Sequence, residues 1–191
     1  SAESASNLPE KFFLFVGAIK ERKNVHGVVE AFKKYKDRGG EFGLIVAGNG
    51  SGEYFDKIKK YIDENFPKSE APTNRGEAVT FLGQITDANL SYLYKKAEAL
   101  LYPSFIEGFG LPILEAQDCG LPVVTSKTYS LPEVAGDGAI LVDPYNISEI
   151  AEAMKKISED SAFRQNLIKL GFLNAKKFSW RKTAQEILSI L

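Results

Sequence analysis

Short apolar runs alternate with longer amphipathic stretches along the chain, from FFLFV near the start to AILV near residue 140. Such runs carry no polar alternation, so each reads as a strand buried on both faces. They fall at 12–17, 43–48, 79–82, 99–102, 122–125 and 139–142. Between them apolar residues recur at three- and four-residue spacing, which predicts helices over 25–35, 52–65, 87–97 and 131–135, and one opening at Leu111. Three more helices are expected to close the chain, over 147–159, 162–177 and 181–191. This rhythm predicts a doubly wound, Rossmann-like α/β domain, a six-stranded parallel sheet with helices on both faces. Domains of that kind bind ligands at the carboxyl ends of their strands, which is where candidate chemistry belongs.

Two segments stand outside the rhythm. Residues 66–78 are rich in Pro, Ser, Thr, Asn and Glu and predict a mobile surface loop. Residues 1–7 are small and polar with no initiating Met, as expected of a disordered tail on an excised piece starting near a domain boundary. That leaves 8–191 as the domain.

Composition narrows the function classes. A chain of 191 residues with 44% hydrophobic content is one ordinary domain with a substantial core. A net charge of −1 gives no footprint for nucleic acid. The lysine groups Lys33, Lys34, Lys36 and Lys57, Lys59, Lys60 sit at helical spacing and read as solvated faces. The single Cys119 has no partner for an internal disulfide and reads as a small buried residue. No stretch approaches the ~20 apolar residues of a membrane span, and no signal-peptide core is present. A soluble, intracellular protein is expected.

The densest candidate chemistry lies at 104–122, SFIEGFGLPILEAQDCGLP. Glu107 and Glu115 flank a Gly-Phe-Gly turn, and Pro112 suits the first turn of the helix that opens at Leu111. The amides around Phe109, Gly110 and Leu111 would leave that helix N-terminus unpaired, a ready site for anionic groups. Gly110 would let the backbone approach a ligand closely. Acidic residues near helix starts also simply complement the macrodipole, so the two glutamates alone leave both readings open.

Other strand ends offer further candidates. Gly17 to Asn24 follow the first strand, with Arg22 and Lys23 directly before a helix that Asn24 is placed to cap. By itself this is either a solvated loop or a candidate site segment. The turn Gly48-Asn49-Gly50-Ser51-Gly52 suggests a dinucleotide fingerprint, but Glu53 stands where the third glycine belongs, so it reads as a structural connection. His26, the sole histidine, reads as an ordinary surface or capping residue. The chain offers neither an Asp-x-Asp pair nor a histidine cluster, and no metal is expected.

PSFIEGFGLPILEAQDCGLPVV resembles the signature P-S-x-x-E-G-F-G-L-P-x-x-E-A, followed by C-G-x-P-V-V, of the retaining nucleotide-sugar-dependent glycosyltransferases of family 4, also called group 1. The likeness extends to FLFVGAIKERKN, LIVAGNG, VTFLGQITDANLSYLYKKAEALLYPS, LPEVAGDGAILVDP and the closing FSW, in the family's order. It implies the C-terminal, donor-binding half of a two-domain enzyme of the GT-B type. Such an enzyme moves a hexose from a UDP- or GDP-linked donor to an acceptor hydroxyl, here of unknown identity, with a mannosyltransferase of glycan or polysaccharide synthesis one candidate. By position, Glu107 would meet donor-sugar hydroxyls, Glu115 the ribose, Lys23 the diphosphate, and the backbone of Ile85 the base. Gly17 would admit the diphosphate close to the main chain. The family's arginine after that glycine is replaced by Ala18, and Arg22 is the candidate substitute. The resemblance implies no cofactor, a cytoplasmic site with peripheral membrane contact through an absent N-terminal domain, and no transfer by this half alone. A non-catalytic nucleotide-binding or regulatory α/β domain is the alternative.

Overall fold

The computed structural model describes residues 8–66 and 78–190, so the tail expected at 1–7 and nearly all of the loop expected at 66–78 lie outside the described residues. Six strands form one sheet: β1 (Phe12–Val16), β2 (Gly43–Ala47), β3 (Val79–Gly83), β4 (Ala99–Tyr102), β5 (Val123–Ser126) and β6 (Ala139–Val142). Their order is β3-β2-β1-β4-β5-β6 with every neighbouring pair parallel. The helices are α1 (Val25–Asp37), α2 (Gly52–Asn65), α3 (Asp87–Lys96), α4 (Leu111–Asp118), α5 (Leu131–Ala135), α6 (Ile147–Glu159), α7 (Ser161–Ala175) and α8 (Trp180–Leu188). This is the expected doubly wound α/β domain.

Continuous apolar strands need cover on both faces, and the alternation of side chains along each strand supplies both layers. Phe13 and Phe15 of β1, Leu44 and Val46 of β2, and Ala99 and Leu101 of β4 pack in one layer with Val28 and Phe32 of α1 and Ile150 and Met154 of α6. Leu14, Ile45, Leu100 and Tyr102 enter the other layer, with Leu93 and Tyr94 of α3 and Ile113 and Ala116 of α4. All of these are buried. At ~1.5–3 kcal/mol for each large apolar side chain, this burial is the main term favouring the sheet.

Where element boundaries depart from expectation, the causes are local. Pro122 offers its carbonyl to the Leu100 N–H (2.8 Å) but has no N–H of its own, so β5 starts one residue later and runs to Ser126. Asp160 accepts the Phe163 N–H (2.9 Å) and starts α7 at Ser161. A 3-10 turn at Glu21–Lys23, which periodicity does not reveal, precedes α1. No residue of α8 is buried. Among the described residues no helix is long and apolar enough to cross a membrane.

The strand order matters most for the site. Beyond β1 the sheet continues to β2 and β3 on one side, and beyond β4 to β5 and β6 on the other. The strand order thus reverses between β1 and β4, the point at which doubly wound sheets have their ligand crevice, outside the carboxyl ends of the strands.

Candidate functional site

Gly17 turns the chain out of β1 at φ 134, a value that favours glycine. Its N–H donates to the Ala47 carbonyl at 2.9 Å, and a side chain there would lie 3.8 Å from Lys23 Cε. The 3-10 turn then delivers Arg22 and Lys23, and Asn24 ends it in the left-handed region at φ 56. Asn24 departs from its expected role. In that conformation its side chain makes no capping bond to α1. Its amide instead donates to the carbonyls of Pro103 (3.1 Å) and Pro144 (2.7 Å), and the residue is 3% exposed. A single buried side chain thus ties the loops after β1, β4 and β6 together.

The β4 loop is fixed against this frame. The Phe105 N–H donates to the Arg22 carbonyl at 2.9 Å. Ser130 Oγ donates to the carbonyls of Glu107 (3.0 Å) and Phe109 (3.2 Å). Glu107 consequently meets both cations of the β1 loop. Its Oε1 lies 2.5 Å from Lys23 Nζ and its Oε2 3.1 Å from Arg22 Nη1. Lys23 also donates to the Tyr102 hydroxyl (2.5 Å), which in turn donates to Glu107 Oε1 (3.0 Å), and the ammonium sits 4.8 Å from the centre of the Tyr102 ring. The Lys23 and Glu107 side chains are 11% and 8% exposed, whereas Arg22 is 51% exposed.

Buried charges persist only when paired, and this pairing leaves a chemical trace. Burial alone would raise the Glu107 carboxyl, but the Lys23 ammonium and the Tyr102 hydroxyl outweigh it and hold the group below the usual carboxylate range. Burial, reinforced by the negative charge of Glu107, pushes the Tyr102 phenol above its usual range. It remains a donor at neutral pH. An ammonium has three N–H donors, and two are committed to Tyr102 and Glu107 among the described residues. The remaining donor and the half-exposed Arg22 fork are what this cluster could offer an anion.

Glu115 lies on the exposed side of α4, where the Tyr94 hydroxyl donates to its Oε2 at 2.9 Å. Burial, then the Glu115 charge, pushes the Tyr94 phenol up as well. Gly110 caps α4 at φ 106, and a side chain there would come within 2.8 Å of Leu131 Cδ2. Packing and backbone geometry therefore require that glycine before any ligand does. Phe109 and Leu111 on either side are exposed, and Phe109 meets Phe178 edge-on at 6.0 Å.

Arg22, Lys23 and Glu107 thus meet in one cluster beside Gly17, and Glu115 projects from the helix that the Glu107 loop leads into. Ile85 stands apart beyond β3, half-buried against the layer that contains Ile45 and Leu93. The Gly48–Gly52 stretch serves packing: a side chain at Gly48 would lie 1.9 Å from the Gly17 carbonyl oxygen, and one at Gly50 2.9 Å from Ile19 and Phe55. None of the expected residues lines the groove of about 840 Å³ that runs beside β6 and the end of α6. Tyr102, Tyr94 and the bridging role of Asn24 are not apparent in the sequence. One signal was available: Tyr102 places a polar tip at the carboxyl end of a fully buried strand, where a hydroxyl needs a partner.

Comparison with known proteins places the chain in a family. The model of the family described as "Glycosyl transferases group 1" matches residues 1–173. The chain is 34% identical over 179 residues to O-antigen chain mannosyltransferase B of Escherichia coli, covering 93% of this chain and 45% of that protein. Sucrose-phosphate synthase from Thermosynechococcus elongatus superposes with a TM-score of 0.79 at 28% identity, over 99% of this chain and 47% of that one. The C-terminal domain of a group 1 glycosyl transferase from Francisella tularensis shares the fold, with a TM-score of 0.77 at 21% identity over 91% of this chain and 89% of that domain. The chain spans about half the length of the mannosyltransferase that it resembles. It belongs to the group 1 glycosyl transferases.

Proposed function

We propose that this chain is the donor-binding half of a retaining, metal-independent family 4 enzyme that transfers a hexose from a nucleoside diphosphate to an acceptor hydroxyl. The observation that carries this reading is the Lys23–Glu107–Arg22 cluster at the reversal of strand order between β1 and β4. Lys23 and Arg22 stabilise charge that grows on the departing diphosphate. Glu107, held between them, faces donor-sugar hydroxyls, and Glu115 takes the ribose. Backbone amides of Phe109, Gly110 and Leu111 hold sugar and phosphate oxygens, Gly17 lets the diphosphate lie near the main chain, and Ile85 meets the base. The mannosyltransferase among its relatives favours a mannosyl donor. A second domain would supply the acceptor site and cytoplasmic membrane contact. Without its closure water is not excluded and the reacting atoms are not aligned, so this half alone binds donor but transfers no sugar.

Titration of the 15N-labelled chain with UDP, GDP and their sugar conjugates tests the placement. Shifts are expected at 17–23, 84–85 and 107–115. Shifts confined to 48–52 would overturn it.

A further inference from the structure

We propose that Tyr102 and Tyr94 are positioning residues, one for each glutamate, and that they divide the site into a diphosphate end and a nucleoside end. The inference rests on the donor-site reading of Glu107 and Glu115 and extends it to residues that reading does not use.

The two tyrosines are built alike. Both belong to the layer under the crevice and are nearly inaccessible, at 1% and 3% exposure. Each extends its ring through that layer and brings only its hydroxyl to a site carboxylate, at 3.0 Å for Tyr102 and Glu107 and 2.9 Å for Tyr94 and Glu115. A buried aromatic ring packed against a sheet has few ways to move, so a hydroxyl at its tip is a rigid locator. Each also faces a long, flexible glutamate that must be held in one rotamer to meet a ligand.

They differ in what else they hold. Tyr102 accepts from Lys23 Nζ while donating to Glu107, so one hydroxyl orients both the ammonium and the carboxylate. Lys23 loses one of its two anchors if that oxygen is removed. Tyr94 touches Glu115 from α3 and has no cation in its hydrogen bonding among the described residues. Loss of the Tyr102 hydroxyl should thus be felt by phosphate, and loss of the Tyr94 hydroxyl by the nucleoside part.

The test is a calorimetric ladder on the folded chain, with uridine and guanosine compared against UDP and GDP. Tyr102→Phe should leave nucleoside affinity within about twofold and cut the gain from the diphosphate by roughly 5- to 10-fold, the loss of about one ordinary hydrogen bond. Tyr94→Phe should weaken nucleoside and diphosphate equally, by roughly 3- to 10-fold, leaving that gain unchanged. Equal losses across all ligands in both variants, or no loss in either, would overturn the division. Lys23→Ala and Glu115→Ala run alongside. If neither alters binding, the donor-site reading itself fails; if both do while the tyrosine variants do not, only the positioning roles fail. Should Tyr102→Phe not fold, the wild-type chain with 13C-labelled tyrosine gives the same decision. Tyr102 should respond to pyrophosphate and Tyr94 to nucleoside, and identical responses would refute the proposal.

Discussion

The loops after β1 and β2 leave neighbouring parallel strands through a glycine with positive φ, yet they do different work. The second is the richer in glycine, with Gly48, Gly50 and Gly52, and two of these answer to packing: Gly48 lies against the Gly17 carbonyl and Gly50 against Ile19. The first has a single glycine but carries Lys23, which is buried against Glu107 from a distant loop. Glycine here answers to crowding, by backbone at Gly48 and by side chains at Gly50. Convergence of opposite charges at the reversal of strand order marks the proposed donor site.

The contrast can be broken most directly at Gly48. Gly48→Ala would drive a methyl group to 1.9 Å from the Gly17 carbonyl at φ 152, and should cost at least ~4 kcal/mol in urea unfolding. Gly52→Ala, with open space around it, should cost only ~1 kcal/mol from its φ of 77. Similar costs at both positions would mean that crowding is not why the second loop needs glycine.

The first loop should answer to ligand instead. Lys23→Ala is expected to weaken UDP or GDP binding by ~1.5–3 kcal/mol while sparing the bare nucleoside. Equal losses would remove Lys23 from the phosphates.

A smaller effect separates the carboxylate from a mere cap. Because the folded-state value of Glu107 is depressed, its pairing stabilises the fold above the ordinary carboxylate range. That contribution is lost as pH falls through the folded-state value. Glu107→Gln should therefore be less stable than the parent at pH 7, by on the order of 1 kcal/mol, and the gap should close on acidification. A gap that stays constant with pH would show that the carboxylate charge is not what the cluster holds.

Arg22→Ala should show the weakest change. Its half-exposed guanidinium forms a pair of ~0.2–1 kcal/mol, so UDP or GDP binding should fall slightly, again without loss for the nucleoside. A loss as large as that at Lys23 would make Arg22 the main phosphate contact.

The sequence by itself determined the sheet and the succession of helices, and it singled out the two glutamates. Those follow from local periodicity, from Pro112 in the first turn of α4, and from motif order along the chain. It could not decide between a capping and a bridging Asn24, because both use the same residue before the same helix and only the backbone angle of 56° separates them. It could not assign Tyr102 beyond a strand position, since the partners of its hydroxyl, Lys23 and Glu107, come from two different loops. Arg22 and Glu107 are 85 residues apart, and nothing local in either segment encodes their meeting. Strand order decided it: β1 and β4 pair because their side chains fill common layers, and that non-local packing brings the two loops to one crevice.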